Sequence, residues 1–322
     1  MQMIDFVSAT KCKGKDTPNL SFCKPVAAYN SGWQLFHLDG CEKLKVWNNA
    51  DAGLLKIEGS LPYFLQGHNF SFCRSAFVEA VEYLQQALDV PLWDAEVSAF
   101  EFGAIMQVEG KPKTYIQNHF AAAGCKLLQN EKPKDAGTFR WWEDSAEALK
   151  LYDAGRNIEL KQGLKRREAI RQAGYDPDRQ YLKFETHYKK ASMLKHGRAV
   201  LLEDLQMPAW LQFLKENTLQ QYHLLGTMRT LELPASKKDL SSTDIIAAAL
   251  VEACMNTEGK QPQEVKKQLF QRINAVPDSL LSKTDKDARK RQINAIFGKL
   301  KESSSSQYDL TAKLEAALAA ED

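Results

Sequence analysis

The tyrosine best placed for covalent chemistry on a phosphodiester is one with cations on both sides. Tyr152 lies two residues after Lys150 and four residues before Arg156. A phenol is a weak nucleophile at neutral pH, and neighbouring cations favour its ionised form and the negative charge of a phosphoryl transition state. We predict a helix here, with Leu149 and Tyr152 on one face, Tyr152 as the nucleophile and Lys150 as the catalytic cation. The alternative is that Tyr152 is only a packing aromatic. Three other tyrosines are candidates for the nucleophile: Tyr175, Tyr181 and Tyr188.

Two glutamates interrupt segments that otherwise alternate like strands. Glu101 lies in Val97–Phe102, and Glu185 lies in Tyr181–Tyr188. A carboxylate on an apolar strand is costly without a partner, and oxygen ligands suit Mg²⁺ or Mn²⁺. We predict that both carboxylates lie on one sheet face and share such an ion. The alternatives are an exposed strand face or ion pairs with Lys183 or Lys189.

A histidine and an asparagine follow a glycine that permits a tight turn. We predict His68 as a further metal ligand and Asn69 as a DNA contact. The alternatives are that His68 contacts a phosphate and a base, or that it caps a helix that is expected to begin near Ser71. The six histidines form no His-hydrophobic-His pair, so the predicted metal site depends mainly on carboxylates.

Positive charge is concentrated in two segments, although the formal net charge is only +2. Residues 161–198 contain eleven lysines and arginines against four acidic residues, and residues 283–301 contain seven against two. Such segments are often solvated faces, but the first one surrounds the candidate site, which favours phosphate binding. The predicted phosphate contacts are Arg156, Lys165, Arg166, Arg167, Lys183, Lys189 and Lys190.

Composition narrows the class of protein. The chain has 322 residues, of which 44% are hydrophobic, as expected for one large globular domain or two smaller ones. No apolar run is long enough for a membrane span and no signal peptide is recognisable, so we expect a cytoplasmic protein.

The six cysteines are spread singly, which argues against a zinc site. A metabolic enzyme is disfavoured because Walker, Gly-x-Gly-x-x-Gly and Gly-x-Ser-x-Gly motifs are missing.

Periodicity predicts strands with intervening helices, followed by a helical region. An Asp39-Gly40 hairpin is expected between strands at 33–38 and 43–47. Other strands are predicted at 4–7, 54–58, 96–107, 138–142 and 180–188, and helices at 71–88, 114–128 and 161–174. Helices are also predicted at 243–256, 262–275, 284–301 and 310–320. The expected fold class is α+β in residues 1–230, with a small helical C-terminal domain in residues 243–322.

Four segments stand in the same order and at similar spacing as in the replication initiators of filamentous phages and related plasmids. They are Leu54–Asn69, which contains Leu-Gln-Gly-His-Asn, and Val97–Phe102, Ala148–Leu160 and Tyr181–Lys190. The chain therefore resembles this gene II/X family over approximately residues 1–230. The chain departs from the family at two places. Family members commonly carry a lysine two residues after the tyrosine, whereas this chain has Ala154 there. Their strand motif usually reads Arg-hydrophobic-Asp, whereas this chain has Ala99-Phe100-Glu101. Arg156 is the nearest cation that can replace the lysine.

The resemblance implies an antiparallel β-sheet core like that of rolling-circle nucleases. It also implies a metal-dependent DNA endonuclease and strand transferase, a nickase that acts through a tyrosyl-DNA intermediate to initiate and terminate rolling-circle replication. The implied partners are phage or plasmid origin DNA, duplex and single-stranded, and a host helicase and polymerase in the bacterial cytoplasm. The alternative is a non-catalytic, sequence-specific DNA-binding protein that regulates replication.

Overall fold

A computed structural model describes residues 2–14, 16–122, 125–127, 139–161, 164–195, 197–227, 231–232, 241–258, 262–302 and 309–319. The chain divides into two compact units. The first unit comprises Met1–Gly226 together with Leu310–Asp322, and the second comprises Thr227–Asp309. The last helix, which we expected in the C-terminal domain, therefore belongs to the first unit. The reason is that Leu310, Leu314 and Leu318 are buried in the core of that unit.

The first unit combines a large sheet with helices. Its strands are β1 (Gln2–Cys12), β2 (Cys23–Ala28), β3 (Gln34–Leu38), β4 (Cys41–Asn49), β5 (Leu54–Ser60), β6 (Glu96–Val108), β7 (His119–Ala122), β8 (Lys126–Leu127), β9 (Phe139–Glu143), β10 (Glu147–Asp153), β11 (Gln180–Tyr188), β12 (Val200–Leu201) and β13 (Leu225–Thr227). Its helices are α1 (Leu61–Gln66), α2 (Arg74–Leu88), α3 (Pro112–Asn118), α4 (Ala154–Lys161), α5 (Leu164–Gln172), α6 (Pro208–His223) and α10 (Thr311–Ala319), with 3-10 turns at Ala191–Lys195 and Leu202–Gln206.

Eleven strands of the described chain form one sheet. Its order is β2-β3-β4-β5-β1-β6-β11-β10-β9-β8, and β12 pairs with β6 outside this path. Neighbouring strands run antiparallel. The expected α+β class and the hairpin between β3 and β4 are confirmed. β1, the first strand of the chain, lies inside the sheet between β5 and β6, so the middle of the sheet depends on long-range pairing.

The Tyr152 segment is a strand, and the prediction of a helix was wrong. In β10, Leu149 and Leu151 are buried while Lys150 and Tyr152 are only partly buried. This alternation has the period of two that a strand requires. Leu149 and Tyr152 consequently point to opposite faces, and the helix begins only after Asp153.

Besides the Tyr152 segment, a helix predicted after residue 113 differs from the structure, because it is shorter than predicted. The helix expected at 114–128 ends at Asn118, because His119 has extended backbone angles. The buried His119 ring explains this end: its Nδ1 lies 2.8 Å from the Tyr115 carbonyl oxygen and its Nε2 lies 3.0 Å from the Tyr222 hydroxyl. The end of the predicted helix, at residue 128, lies outside the described residues.

One face of the central strands is apolar and carries the main core. Phe100 stacks on Tyr188 with 4.7 Å between ring centroids, and Phe184 meets the Tyr222 ring of α6 edge-on at 5.4 Å. The Tyr188 hydroxyl also donates to Asn217 Oδ1 on α6, at 2.7 Å. This packing fixes which side chains of the same strands point to the opposite face.

The described residues of the second unit form three helices and a two-strand ribbon. They are β14 (Leu231–Glu232), α7 (Ser242–Glu258), α8 (Pro262–Ala275), α9 (Lys283–Lys299) and β15 (Lys301–Glu302). Val251, Met255, Val265 and Phe297 belong to its small core. No helix in the described ranges has both the length and the apolar character of a membrane span.

Candidate active site

Strand register brings the predicted site residues onto one face of the sheet. Lys150 stands opposite Glu185 and Tyr152 stands opposite Lys183 in the β10–β11 pair. In the β11–β6 pair, His187 stands opposite Glu101. Directly opposed residues share a face and so do residues two apart along a strand. These side chains therefore lie on the face opposite Phe100, Phe184 and Tyr188.

Three carboxylates converge on this face. One oxygen each from Asp5, Glu101 and Glu185 lies within 4.8 Å of the other two. The structure thus brings Glu101 and Glu185 together, as the sequence predicted, and adds Asp5. We missed Asp5, although a carboxylate within the apolar alternation of residues 4–7 is the same signal that identified the glutamates. It lies where the β1–β6 register shifts, and such irregularities redirect side chains.

Asp5 is held by three donors. Its Oδ2 accepts from Lys183 Nζ at 2.7 Å and from Asn69 Nδ2 at 2.6 Å, and its Oδ1 accepts from Ser60 Oγ at 2.7 Å. Burial raises the pKa of Asp5, but the Lys183 charge and the hydrogen bonds outweigh it and leave the pKa below its ordinary value. Asp5 is therefore an anion in the folded protein at neutral pH.

Lys183 is a buried cation, which corrects our prediction that it contacts DNA on the surface. Its side chain is 1% exposed and forms ion pairs with Asp5 and Glu185. Burial lowers the pKa of Lys183, but both carboxylates outweigh this and hold the pKa well above 10.5. Strand alternation places Lys183 on the same face as Glu185, but it carries no information on whether other segments cover that face. The structure contains an ion pair between Lys183 and Glu185, which was one of the alternatives to a metal site.

Glu185 is the least stabilised of the three carboxylates. Burial raises its pKa to about 7, and Lys183 only partly offsets this while Glu101 and Asp5 repel its charge. Its Oε1 is a buried atom that has no hydrogen-bond partner in the described part of the chain, because its ion pair with Lys183 lacks hydrogen-bond geometry.

Glu101 connects two further groups. Its Oε1 lies 2.7 Å from His187 Nδ1 and also forms an ion pair with Lys150 Nζ. Burial raises the pKa of Glu101, but the His187 hydrogen bond and the Lys150 charge lower it below its ordinary value. On its other side, Lys150 Nζ lies over the Trp141 ring, 4.7 Å from the centroid. His187 and Trp141 were not predicted as site residues.

Tyr152 lies beside the carboxylates and is partly buried. Burial, and after it the Glu185 carboxylate with which its hydroxyl interacts, raise the pKa of Tyr152 well above 10. Lys183 Nζ lies 6.0 Å from the ring centroid. Tyr152 is thus placed next to ionised groups, on the face opposite the core residues Leu149 and Leu151.

The other candidate tyrosines belong to the core. Tyr188 is 1% exposed and its hydroxyl is bound to Asn217. Tyr175 and Tyr181 are also buried, and both pack edge-on against Phe70. These positions suit packing better than attack on a polymeric substrate.

The Gly67-His68-Asn69 segment contacts the site through Asn69, which binds Asp5, and not through a metal ligand. His68 is outside the group of clustered carboxylates, and its Nδ1 accepts from the Phe70 backbone N–H at 3.4 Å. Burial lowers the pKa of His68. It does not cap α2 either, since that helix begins at Arg74 after Cys73. Asn69, expected at DNA, instead binds Asp5.

Three of the remaining predicted DNA contacts, Arg156, Lys189 and Lys190, have side chains within the described residues. Arg156 is in the first turn of α4, where its backbone N–H donates to Asp153 Oδ1 at 2.9 Å. Lys189 donates to Glu143 Oε2 at 2.7 Å and so does not pair with Glu185, whereas Lys190 is exposed. The backbone of α5 is helical as predicted, but the side chains of Lys165, Arg166 and Arg167 lie outside the described residues.

The donor set fits a divalent cation that prefers oxygen. Carboxylate oxygens are the ligands that Mg²⁺ and Mn²⁺ select, and such ions commonly use one or two carboxylates together with phosphate and water. Glu185 Oε1 is buried and ion-paired with Lys183 but accepts no hydrogen bond within the described residues, so a cation would add a further contact to this atom. Lys183 already supplies one positive charge here, so an ion would share Asp5 and Glu185 with an ammonium.

Comparison with known proteins adds no family to these observations. No protein-family model, no curated protein and no solved structure matches the chain.

Proposed function

We propose that this chain nicks and rejoins one DNA strand through a tyrosyl-DNA intermediate, as an initiator of phage or plasmid rolling-circle replication. The observation that carries the proposal is the position of Tyr152 against Glu185, on a sheet face that also gathers Asp5, Glu101 and two lysines. A tyrosine that only packs has no need of these neighbours. The sequence resemblance to phage and plasmid initiators supports the same activity.

Tyr152 would be the nucleophile. Its raised pKa keeps the proton on the hydroxyl in the free protein, so attack on phosphorus requires a proton acceptor. Glu185, whose carboxylate interacts with the hydroxyl, would take this proton. One ester bond forms between the tyrosine oxygen and phosphorus while the bond from phosphorus to the 3′ oxygen breaks, and the 3′ oxygen gains a proton from water.

Positive charge for the phosphate would come from Lys150. Its side chain is 15% exposed, whereas Lys183 is sealed between carboxylates and serves mainly to hold them. Asp5, Glu101 and Glu185 would hold Mg²⁺ or Mn²⁺. When bound, such an ion polarises the scissile phosphate and neutralises charge that develops on its oxygens.

The reverse reaction would reseal the strand without ATP, because the phosphotyrosine conserves the bond energy. The free 3′-OH would prime synthesis by a host polymerase after strand separation by a host helicase, in the cytoplasm of a bacterial host. Origin DNA would be the substrate, as duplex and as single strand.

A plasmid assay tests this function against its alternative. Supercoiled plasmid carrying the origin of the chain's own replicon should become nicked with Mg²⁺ and stay supercoiled with a chelator. Asp5→Asn should reduce nicking about 10²-fold or more, the scale of losing an electrostatic catalytic group. Asp94→Asn is a matched control, since Asp94 is an exposed carboxylate paired with Lys11. Binding of the origin without nicking at any Mg²⁺ or Mn²⁺ concentration would instead indicate a non-catalytic DNA-binding protein.

A further inference from the structure

Trp141 stands directly opposite Lys150 in the β9–β10 pair and so lies on the site face. The Lys150 ammonium lies over its ring, 4.7 Å from the centroid, and contacts Glu101 Oε1 at the same time. Lys150 is thus bounded by an aromatic ring and by a carboxylate. The four-carbon stem of a lysine is flexible, so its charge can take many positions. Two such contacts select one of them.

The core of the protein does not account for Trp141. Its neighbour Trp142 points to the apolar face, is fully buried and belongs to the main core. Trp141 is only partly buried and is not a member of that core. On this face of ionised groups, the Trp141 ring contacts the Lys150 ammonium and meets the Phe139 ring edge-on.

We propose that Trp141 is a positioning residue, which acts on the DNA reaction by holding the Lys150 ammonium where it meets the scissile phosphate. This inference rests on the proposed function, because it assigns Lys150 to the phosphate. The ring stabilises the cation through its quadrupole and leaves its charge intact, whereas a second carboxylate would neutralise it. Trp141 itself touches no reacting atom.

Kinetics with a conservative rescue test the proposal. Trp141→Leu should lower kcat for nicking about tenfold with little change in KM, since an interaction of this strength corresponds to about one order of magnitude. Trp141→Phe retains a ring face and should restore most of the rate. Equal losses in the Leu and Phe variants would overturn the proposal.

A double-mutant cycle separates positioning of the cation from other effects of the ring. In a Lys150→Met background, Trp141→Leu should have little further effect. Trp210→Leu is the matched control, because Lys195 Nζ lies over the Trp210 ring at 5.4 Å outside the site face; it should change nicking by no more than about twofold. Additive losses from the Trp141 and Lys150 changes would contradict the inference while leaving the nicking function intact.

A modified DNA substrate tests whether the Trp141 ring stacks on a base instead of positioning Lys150. On an oligonucleotide with abasic sites beside the scissile bond, the loss caused by Trp141→Leu should persist. Its disappearance there would mean that the ring binds a base, which overturns the positioning role.

A last measurement needs no nicking activity. Acylation of Lys150 by an amine-reactive reagent, followed by mass spectrometry, should be faster in Trp141→Leu than in the parent and in Trp141→Phe. An unchanged rate would show that the ring does not hold the ammonium. An enzyme that fails to nick at all would overturn the proposed function, and with it the role of this contact in catalysis.

Discussion

Gly103 makes the room in which Glu185 lies. The two residues are directly opposed in the β6–β11 pair, and a Cβ on Gly103 would stand 2.1 Å from the Phe184 carbonyl oxygen and 2.9 Å from Glu185 Cγ. Both distances are shorter than real carbon contacts allow. The absence of a side chain on β6 is therefore what permits the carboxylate of β11 to lie across it.

The first prediction concerns this contact. Gly103→Ala should displace Glu185 and part of β11, lower stability by about 1–3 kcal/mol and strongly reduce nicking, because overpacking of this kind forces the backbone to move. Gly155→Ala is the control, since a Cβ there meets Asp153 Oδ1 at 3.6 Å, an ordinary contact. Urea unfolding measures both variants. A stable and active Gly103→Ala protein would show that Glu185 does not need this position.

The second prediction concerns the buried cation. Lys183→Met should cost about 3–5 kcal/mol of stability, because it leaves the Asp5 and Glu185 carboxylates buried without their counter-charge. Mg²⁺ should raise the melting temperature of this variant more than that of the parent, in which Lys183 already neutralises the site. Lys190→Met, at an exposed lysine, should change stability by no more than about 0.5 kcal/mol. Equal Mg²⁺ effects on parent and variant would argue against a metal at these carboxylates.

The third prediction comes from the basic segment on α5. Replacement of Lys165, Arg166 and Arg167 by glutamine should weaken binding to all DNA sequences and flatten its salt dependence by up to about 0.9 per lost duplex phosphate contact. The matched comparison is the triple glutamine variant of Lys283, Arg289 and Arg291 on α9. Binding measured between low and moderate salt distinguishes them, and a salt slope unaffected by the α5 changes would identify α5 as a solvated face.

The fourth prediction links pH to the second unit. Hydrogen bonds from the Ser241 backbone, and then from Lys299, hold the pKa of Asp244 below its ordinary value of 3.8. A carboxylate whose pKa is lower in the folded than in the unfolded state stabilises the fold above its unfolded pKa. This contribution is lost as the pH falls through the folded pKa. The stability of α7 should therefore decline below about pH 4.

Hydrogen exchange of α7 peptides measures this decline. Asp244→Asn should reduce protection at neutral pH, and the difference from the parent should shrink in acid. Asp278→Asn is the control, because Asp278 pairs with Lys286 but its side chain is 83% exposed. A constant difference between Asp244→Asn and the parent across this pH range would contradict the assignment.

Sequence patterns predicted helices and strands well in segments where apolar residues repeat with only one period. The limits of β11 agree with the prediction, since alternation of Gln180–Tyr188 is bounded by loops on both sides. The segment around Tyr152 misled because a strand passes directly into α4. Leu149 and Tyr152 are three residues apart, as on one face of a helix, whereas Leu149 and Leu151 are two apart, as on one face of a strand, and so short a run fits both periods.

The site was predictable in its residue types more than in its arrangement. Carboxylates within apolar strands identified Glu101 and Glu185, and their shared face follows from parity along neighbouring strands. The position of Asp5 beside these glutamates required knowledge that β1 pairs with β6, which depends on contacts across about a third of the chain. Burial of Lys183 likewise depends on the segments that cover the face, and no local pattern records it.

The central claim is that Tyr152 becomes covalently bound to DNA, and covalent capture tests it most directly. The protein is incubated with Mg²⁺ and a pool of single-stranded DNA that contains the replicon sequence, freed of non-covalent DNA under denaturing conditions and digested for mass spectrometry. We predict a nucleotide adduct on Tyr152, retained in the Tyr83→Phe control at an exposed tyrosine. Tyr152→Phe should fold and bind the same DNA but yield no adduct. An adduct that persists in Tyr152→Phe, or that maps to another tyrosine, would contradict the account.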